Sequence, residues 1–104
     1  MSLIKIGGKM GANLYEKEEN VGEKEMDLHR AISSLTEELE AIDYYNQRVN
    51  VTKDENLKAI LVHNRDEEKE HAVMLIECIR RVDEKFDKEL KDILFKEGDV
   101  TRFG

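Results

Sequence analysis

The sequence predicts an all-α protein: an antiparallel hairpin of two long helices followed by a short third helix. Three observations lead to this prediction. The 104 residues include no proline and 39% of them are charged, a composition typical of long helices with solvated outer faces. Apolar residues recur at helical spacing from about residue 23 onward. A polar break near residues 50–56 then divides the periodic part of the chain into two long stretches.

The first long helix is predicted from about Glu23 to Asn50. Its apolar residues fall at spacings of three, four and seven, which places them on one face of a helix. These residues are Leu28, Ile32, Leu35, Leu39, Ile42 and Val49. The segment NVTKDEN ends the pattern, and within it Thr52 and Glu55 have the three-residue spacing of a capping box. We therefore expect the second helix to begin here.

The second helix is predicted to continue to about Val82, and a shorter third helix to span about Asp83 to Lys96. Gly98 is the expected C-terminal stop. The apolar stripe of the second helix comprises Leu57, Leu61, Ala72, Leu75, Cys78, Ile79 and Val82. The third helix carries Phe86, Leu90, Ile93 and Leu94.

Three segments describe the predicted organisation of the chain. Residues 1–22 contain several glycines among polar residues and are expected to form a flexible N-terminal arm. Residues 23–98 form the helical hairpin with its third helix, and residues 99–104 form a C-terminal tail. Two helices of about 27 residues are each about 40 Å long, and each buries only a seam in a hairpin. We therefore expect two chains to dimerise into a four-helix bundle.

Composition excludes several classes of partner. The net charge of −7 disfavours nucleic acid and anionic membranes, which attract clustered cations. No apolar run approaches the roughly 20 residues of a membrane span. The single cysteine, Cys78, excludes an intrachain disulfide and is expected to be a small core residue in a protein of a reducing, cytoplasmic compartment.

One acidic side chain falls where the second helix would otherwise bury an apolar residue. At about 100° per residue, Glu68 projects into the middle of the apolar sector, and His71 lies one turn later on its flank. A lone buried carboxylate is costly unless it takes up a proton or finds a positive partner. On the first helix, Glu38 borders the apolar stripe between Leu35 and Ile42. Glu38, Glu68 and His71 are therefore the candidate metal ligands.

This inventory is half of a known kind of site. Di-iron carboxylate bundles use a Glu from each of two helices and a Glu-x-x-His from each of the other two. One chain supplies half of that set and half of a bundle, so dimerisation would complete both. The oxygen-rich ligands with one imidazole per metal suit iron or manganese, and zinc could also bind.

The remaining polar candidates project elsewhere. Tyr45 lies seven residues beyond Glu38 on the same edge of the first helix, where it either lines the site or is an ordinary boundary tyrosine. Four acidic residues and one histidine point away from the apolar sectors: Glu37, Glu40, His63, Glu67 and Glu70. Surface Glu and His residues on a helix most often form a solvated face only.

At these residues the sequence resembles the encapsulated ferritins, short ferritin-like proteins packaged inside encapsulin nanocompartments. The resemblance is carried by HRAISSLTEELEAIDYYNQRV (29–49), ILVHNRDEEKEHAVM (60–74) and LFKEG (94–98). It implies a ferritin-like four-helix bundle and a ferroxidase that oxidises Fe(II) to Fe(III) with dioxygen. The di-iron ligands would be Glu38, Glu68 and His71 from both chains of a dimer, with Tyr45 beside the centre.

The resemblance also implies an assembly and a location. Family members form a ring of dimers, a decamer, without a closed cavity, and the encapsulin shell stores the mineral. Secondary sites for calcium or other divalent ions would match Glu37 and Glu40, and more weakly His63, Glu67 and Glu70. The sequence departs from the family pattern at Tyr44, where some members have Trp. It ends at DVTRFG, whereas members usually carry a C-terminal shell-docking peptide.

Two other hypotheses stay open from the sequence. One is a rubrerythrin-like or manganese-binding carboxylate bundle that acts on peroxide. The other is a non-catalytic oligomerisation module in which cross-chain hydrogen bonds satisfy Glu68 and His71. The oxidant used and the presence of stoichiometric metal would discriminate among the three.

Overall fold

The structure, a computed structural model, describes residues 14–101 and is all-helical over that range. This confirms the predicted fold class. The helices are α1 (Glu18–Val21), α2 (Glu23–Val51), α3 (Glu55–Val82) and α4 (Glu84–Ile93). Residues 1–13 of the predicted arm and residues 102–104 of the predicted tail lie outside the described part. None of the helices within it has the length and apolar content of a membrane span.

Helices α2 and α3 pack against each other as the two arms of the hairpin and form its core. Within residues 14–101 the buried apolar residues all lie on these helices, and they are Met26, Ala41, Leu61, Ala72 and Ile79. Burying an aliphatic side chain such as Ile79 contributes about 1.5–3 kcal/mol. The seam also holds two buried acids, Glu38 and Glu68, at the positions where the helical projection places them.

The turn between α2 and α3 differs from the predicted capping box. Asp54 is the N-cap of α3, and its Oδ1 accepts hydrogen bonds from the backbone N–H groups of Asn56 (2.8 Å) and Leu57 (3.1 Å). Thr52 instead ends α2, because its Oγ1 donates to the carbonyl oxygen of Arg48 at 2.6 Å. The capping-box prediction was therefore wrong: the Thr52 hydroxyl already serves the preceding helix, so the next acidic residue caps α3.

Helix α4 begins with Asp83 as its N-cap and ends earlier than predicted. The side chain of Asp83 accepts from the backbone N–H of Phe86 at 2.9 Å. The helix ends at Ile93 rather than near Lys96, because the C-cap residue Leu94 is already extended, with ψ of 146°, and Phe95 after it is left-handed, with φ of 59°. An extended residue cannot continue the i→i−4 hydrogen bonds of a helix, so this end needs no glycine. The third helix therefore ends before Gly98, which the sequence had predicted as its C-terminal stop.

A charged cluster joins α3 to α4 at their corner. Arg80 donates from Nε and Nη2 to the two carboxylate oxygens of Glu77 and from Nη1 to Asp87 of α4. Arg81 also donates to Glu77, at 2.7 Å. These guanidinium groups hold the pKa of Glu77 at about 2, so its carboxylate stays ionised and the cluster stays intact at all but strongly acidic pH.

One side of the hairpin is apolar and uncovered. Leu28 and Ala31 of α2 line a shallow groove with Cys78 and Val82 of α3. Cys78 is exposed, which corrects the prediction of a core cysteine: in one chain a single neighbouring helix covers only part of the α3 stripe. Exposed apolar residues that continue this stripe on either helix are Ile32, Leu39, Leu57 and Ile60. We call these eight residues the open face.

The corrected cap can be tested at the turn. Asp54→Ala should lower the free energy of unfolding by about 1 kcal/mol, the usual effect of removing an N-cap side chain. Thermal or urea unfolding followed by circular dichroism measures this change. Glu55→Ala is the control, because a capping box would depend on Glu55 and an Asp54 cap would not. Equal destabilisation by both variants would contradict the assignment of the cap.

Candidate metal centre

The middle of the α2–α3 seam holds Glu38, Glu68 and His71. Glu38 comes from α2, and Glu68 and His71 lie one turn apart on α3. The Nδ1 atom of His71 is 2.9 Å from Oε1 of Glu68 and 3.7 Å from Oε2 of Glu38. One ligand atom from each residue lies within 4.8 Å of the other two, and no other such group of three occurs within residues 14–101.

Small side chains let the helices approach at this level. Ala41 is one turn after Glu38 and is 0% exposed; Ala72 follows His71 directly and is 4% exposed. Because alanine projects little from a helix, the two backbones can come close enough for carboxylates from both helices to meet. Glu38 and Glu68 are each only 6% exposed. His71 is more accessible and lies toward the open face.

Burial and the neighbouring Glu68 carboxyl both act on the carboxyl of Glu38. Burial raises the pKa of Glu38 above its ordinary value of 4.5, because the charged form loses its hydration. The neighbouring Glu68 carboxyl raises this pKa further, through a hydrogen bond that requires a shared proton and through its negative charge. His71 acts in the opposite direction by favouring the charged form. Without a cation, the centre is therefore short of positive charge.

One atom of the centre has no hydrogen-bond partner among residues 14–101. Oε1 of Glu38 is buried and accepts no hydrogen bond, and an unsatisfied buried acceptor costs about 1–3 kcal/mol. Metal–nitrogen and metal–oxygen bonds are about 2.0–2.2 Å, so neighbouring ligands on one ion are about 3 Å apart. The 2.9 and 3.7 Å separations at His71 lie close to that spacing. The donor set thus fits a divalent cation, which would also supply the missing positive charge.

The other candidate residues stay apart from this centre. His63 and Glu67 are both exposed and form a 3.6 Å pair on the outer side of α3. Glu70 is exposed on the same helix, and Glu37 and Glu40 are half-buried on α2. A role for these five residues at secondary sites remains a prediction.

Tyr45 is half-buried one to two turns beyond the centre. The guanidinium carbon of Arg48 lies 5.7 Å from the centroid of its ring, within the range of a cation–π contact. This contact was not expected from the sequence, although Arg48 follows Tyr45 at the i,i+3 spacing that brings helical side chains together.

The fold and the centre together define a class of protein. A hairpin with a buried Glu on one helix and Glu-x-x-His on the other is half of a ferritin-like carboxylate bundle. Residues 13–97 match the family model described as EncFtn-like. The chain belongs to the EncFtn-like family, which confirms the resemblance to encapsulated ferritins.

Named relatives support the same assignment. The chain is 52% identical over 87 residues to the encapsulated ferritin-like protein of Rhodospirillum rubrum, which covers 84% of this chain and 62% of that protein. It is 45% identical over 92 residues to a ferritin-like protein of Thermotoga maritima, covering 88% and 81%. The encapsulin nanocompartment cargo protein EncC of Myxococcus xanthus is 43% identical over 58 residues, covering 55% and 45%. The chain thus spans less than two thirds of the Rhodospirillum and Myxococcus relatives.

A solved structure has the same fold. The crystal structure of a protein from Nitrosomonas europaea superimposes with a TM-score of 0.84 and is 58% identical in sequence. The match covers 88% of this chain and 100% of that chain. The two proteins therefore share the helical fold.

The raised pKa of Glu38 predicts a pH dependence of the metal-free protein. Because the folded state binds this proton more tightly than the unfolded state, protonation of Glu38 stabilises the fold. That stabilisation is fully present below pH 4.5 and is lost as the pH rises through the folded pKa. The variant Glu38→Gln stays neutral, and its amide can donate to Glu68. Its stability relative to the wild type should therefore increase from pH 4.5 to pH 8.

Urea unfolding in the presence of a chelator, repeated across this pH range, measures the difference. The exposed Glu97→Gln variant is the control and should show no such trend. A difference between Glu38→Gln and the wild type that is flat with pH would contradict the raised pKa.

Proposed function

We propose that this protein is a ferroxidase that oxidises Fe(II) to Fe(III) with dioxygen at a di-iron centre shared by two copies of the chain. The observation that carries the proposal is the buried cluster of Glu38, Glu68 and His71, with an unpartnered carboxylate oxygen beside an uncovered apolar face. Membership of the EncFtn-like family supports an iron-handling role.

The ligand chemistry favours this reaction. Two carboxylates and one imidazole per chain are hard, oxygen-rich donors that suit iron or manganese. Anionic carboxylates stabilise the ferric product more than the ferrous substrate, because the attraction grows with the charge of the ion. Iron bound there would pass electrons to dioxygen, one from each ferrous ion that becomes ferric.

The residues of the chain have separate tasks at the centre. A bound cation would favour the ionised form of Glu38, whose pKa is raised in the metal-free chain, and the carboxylates of Glu38 and Glu68 would hold the ions. His71 supplies a neutral nitrogen from the more open side of the seam. Tyr45, two helical turns from Glu38, is the proposed aromatic neighbour of the centre, with its ring held by Arg48.

A second copy of the chain would complete the centre. One hairpin provides a Glu and a Glu-x-x-His, which is half of a bundle di-iron site. The open face lies on the same side of α3 as His71, so a copy that covers it would bring its own cluster toward the first. The binding energy of iron would then favour association, because only the associated state offers the full site.

The assembly and its cellular location are inferred from the relatives. We propose a ring of such dimers, a decamer, held inside an encapsulin compartment of the cytoplasm. The supporting fact is that relatives from two organisms are named as encapsulated or as encapsulin cargo. Glu37 and Glu40, with His63, Glu67 and Glu70, are proposed to collect calcium, iron or other divalent ions on the outer surface.

Removal of a ligand tests the proposed reaction. His71→Ala and Glu38→Ala should each slow Fe(II) oxidation by more than about tenfold, because loss of residues that merely orient metal ligands already costs that much in affinity or activity. Oxygen consumption and ferric absorbance after anaerobic Fe(II) loading measure the rate. His29→Ala and Glu97→Ala are the matched controls and should react like the wild type.

Near-normal oxidation in both ligand variants would overturn the ferroxidase assignment. If elemental analysis of the wild type then also finds no stoichiometric metal, the non-catalytic oligomerisation module is the better description. Faster turnover with peroxide than with dioxygen would instead favour the rubrerythrin-like reading.

Substitutions on the open face test whether two chains share the centre, independently of the ligand variants. Leu39→Lys and Ile60→Lys place a charge on apolar side chains that are 52% and 57% exposed in one chain. Both should shift the assembly toward smaller species in analytical ultracentrifugation and reduce iron binding, because a buried charge opposes association. Val100→Lys, at an exposed apolar residue outside the open face, is the control. Unchanged assembly in both variants would exclude the open face as the interface.

A further inference from the structure

We propose that Arg65 and Asn46 form a strut that sets the axial register between α2 and α3 at the metal centre. The inference rests on the proposed metal-binding function and names two positioning residues for it. Neither residue belongs to the Glu38, Glu68 and His71 cluster. Their link crosses the helix interface on the side of the cluster that faces the hairpin turn.

The contacts of Arg65 hold it in a defined position. Its Nη1 donates to Oδ1 of Asn46 across the interface at 3.1 Å, and its Nε donates to Oδ1 of Asp66 at 3.1 Å. The side chain of Arg65 is only 20% exposed, so its aliphatic part lies along the seam. The charge of Arg65 is balanced locally by Asp66, whose pKa it lowers. The remaining interaction, with the neutral Asn46 amide, is directional rather than a charge pairing.

The strut is inclined along the helix axes. Glu38 and Glu68 face each other, so in an antiparallel pair Arg65 lies opposite Ala41. Asn46 is five residues closer to the turn, about 7.5 Å along the axis at 1.5 Å per residue. Arg65 spans that offset, because side chains on a helix lean toward its N-terminus. A link with a large axial component changes length when the helices slide, whereas a purely lateral contact hardly does.

The apolar packing beside the centre only weakly resists sliding of α3 along α2. The helices meet near the centre on Ala41 and Ala72, whose small side chains form shallow ridges. Axial displacement by one residue is about 1.5 Å, yet a binding constellation needs its groups held to within about 0.5 Å. A directional polar link close to the centre can supply that precision. Arg65 is one helical turn from Glu68, so its constraint acts directly on that part of α3.

Cobalt binding and a metal-free structure test the strut together. Asn46→Ala and Arg65→Met should each weaken Co(II) binding roughly tenfold, the lower end of the effect of residues that orient metal ligands. The double variant should lose no more than either single variant, because the two residues act as one link. Asn46→Asp keeps an acceptor oxygen and should retain wild-type affinity. Visible absorption during Co(II) titration measures all four.

Matched controls distinguish a loss of ligand positioning from a loss of protein stability. Gln47→Ala removes an exposed amide that bonds within α2 to Asp43, and Arg30→Met removes a guanidinium that bonds within α2 to Asp27. The melting temperatures of the metal-free strut variants should equal those of these controls, while only the strut variants lose affinity. Equal Co(II) affinity in Asn46→Ala and Gln47→Ala would overturn the proposal, as would additive losses in the double variant.

A metal-free crystal structure of Asn46→Ala provides a readout that does not depend on metal binding. The separation of Glu38 Oε2 and His71 Nδ1, 3.7 Å here, should change in Asn46→Ala and stay the same in Gln47→Ala. An unchanged separation in Asn46→Ala would overturn the strut. A wild type that binds no Co(II) would instead overturn the proposed metal site, and the crystallographic comparison would still decide whether the strut sets the register.

Discussion

The burial of two carboxylates opposite each other is the constraint on which the rest of the structure depends. Taking an ionised carboxylate out of water costs several kcal/mol unless a counter-charge compensates it. Within residues 14–101, the imidazole of His71 compensates Glu38 and Glu68 only in part, and Oε1 of Glu38 accepts no hydrogen bond. The seam is thus built around a deficit of positive charge. A cation satisfies that deficit better than any side chain of the hairpin does.

The open face follows from the same arrangement. Near the centre, α2 and α3 turn Ala41 and Ala72 toward each other so that the carboxylates can meet, whereas Leu39 and Ile60 are left exposed at the side. A hairpin of this kind cannot hide both stripes, and exposed apolar patches of this continuity mark interaction sites. Under the proposed function, the arrival of a second chain would complete the core and the ligand set in one event, and it would couple stability to metal binding.

The sequence predicted the features that depend on helical periodicity. The projection of Glu68 into the apolar sector, with His71 one turn later, follows from a period of 3.6 residues, and the structure has both at the seam. The features that the sequence did not predict depend on which of several possible partners or conformations a residue adopts. Thr52 had the spacing of a cap but bonds to the preceding helix. The end of α4 depends on the backbone of Leu94 and Phe95, which no periodic pattern reveals. Cys78 lies on the predicted stripe, but it is exposed because a single neighbouring helix covers only part of that stripe.

The link between Arg65 and Asn46 shows a further limit of periodicity. The two residues are 19 positions apart, and each alone looks like a solvated polar residue on a helix surface. Only the register of α2 against α3 brings them together, and that register is also what places Glu38 opposite Glu68. The periodic pattern determines which helix face each residue occupies, but it does not determine the axial register between the two helices. A carboxylate centre depends on the face and on the register, and the register requires directional contacts such as the Arg65–Asn46 hydrogen bond. Precision at the centre can therefore be lost by a substitution that leaves the helices, the seam and the ligands in place.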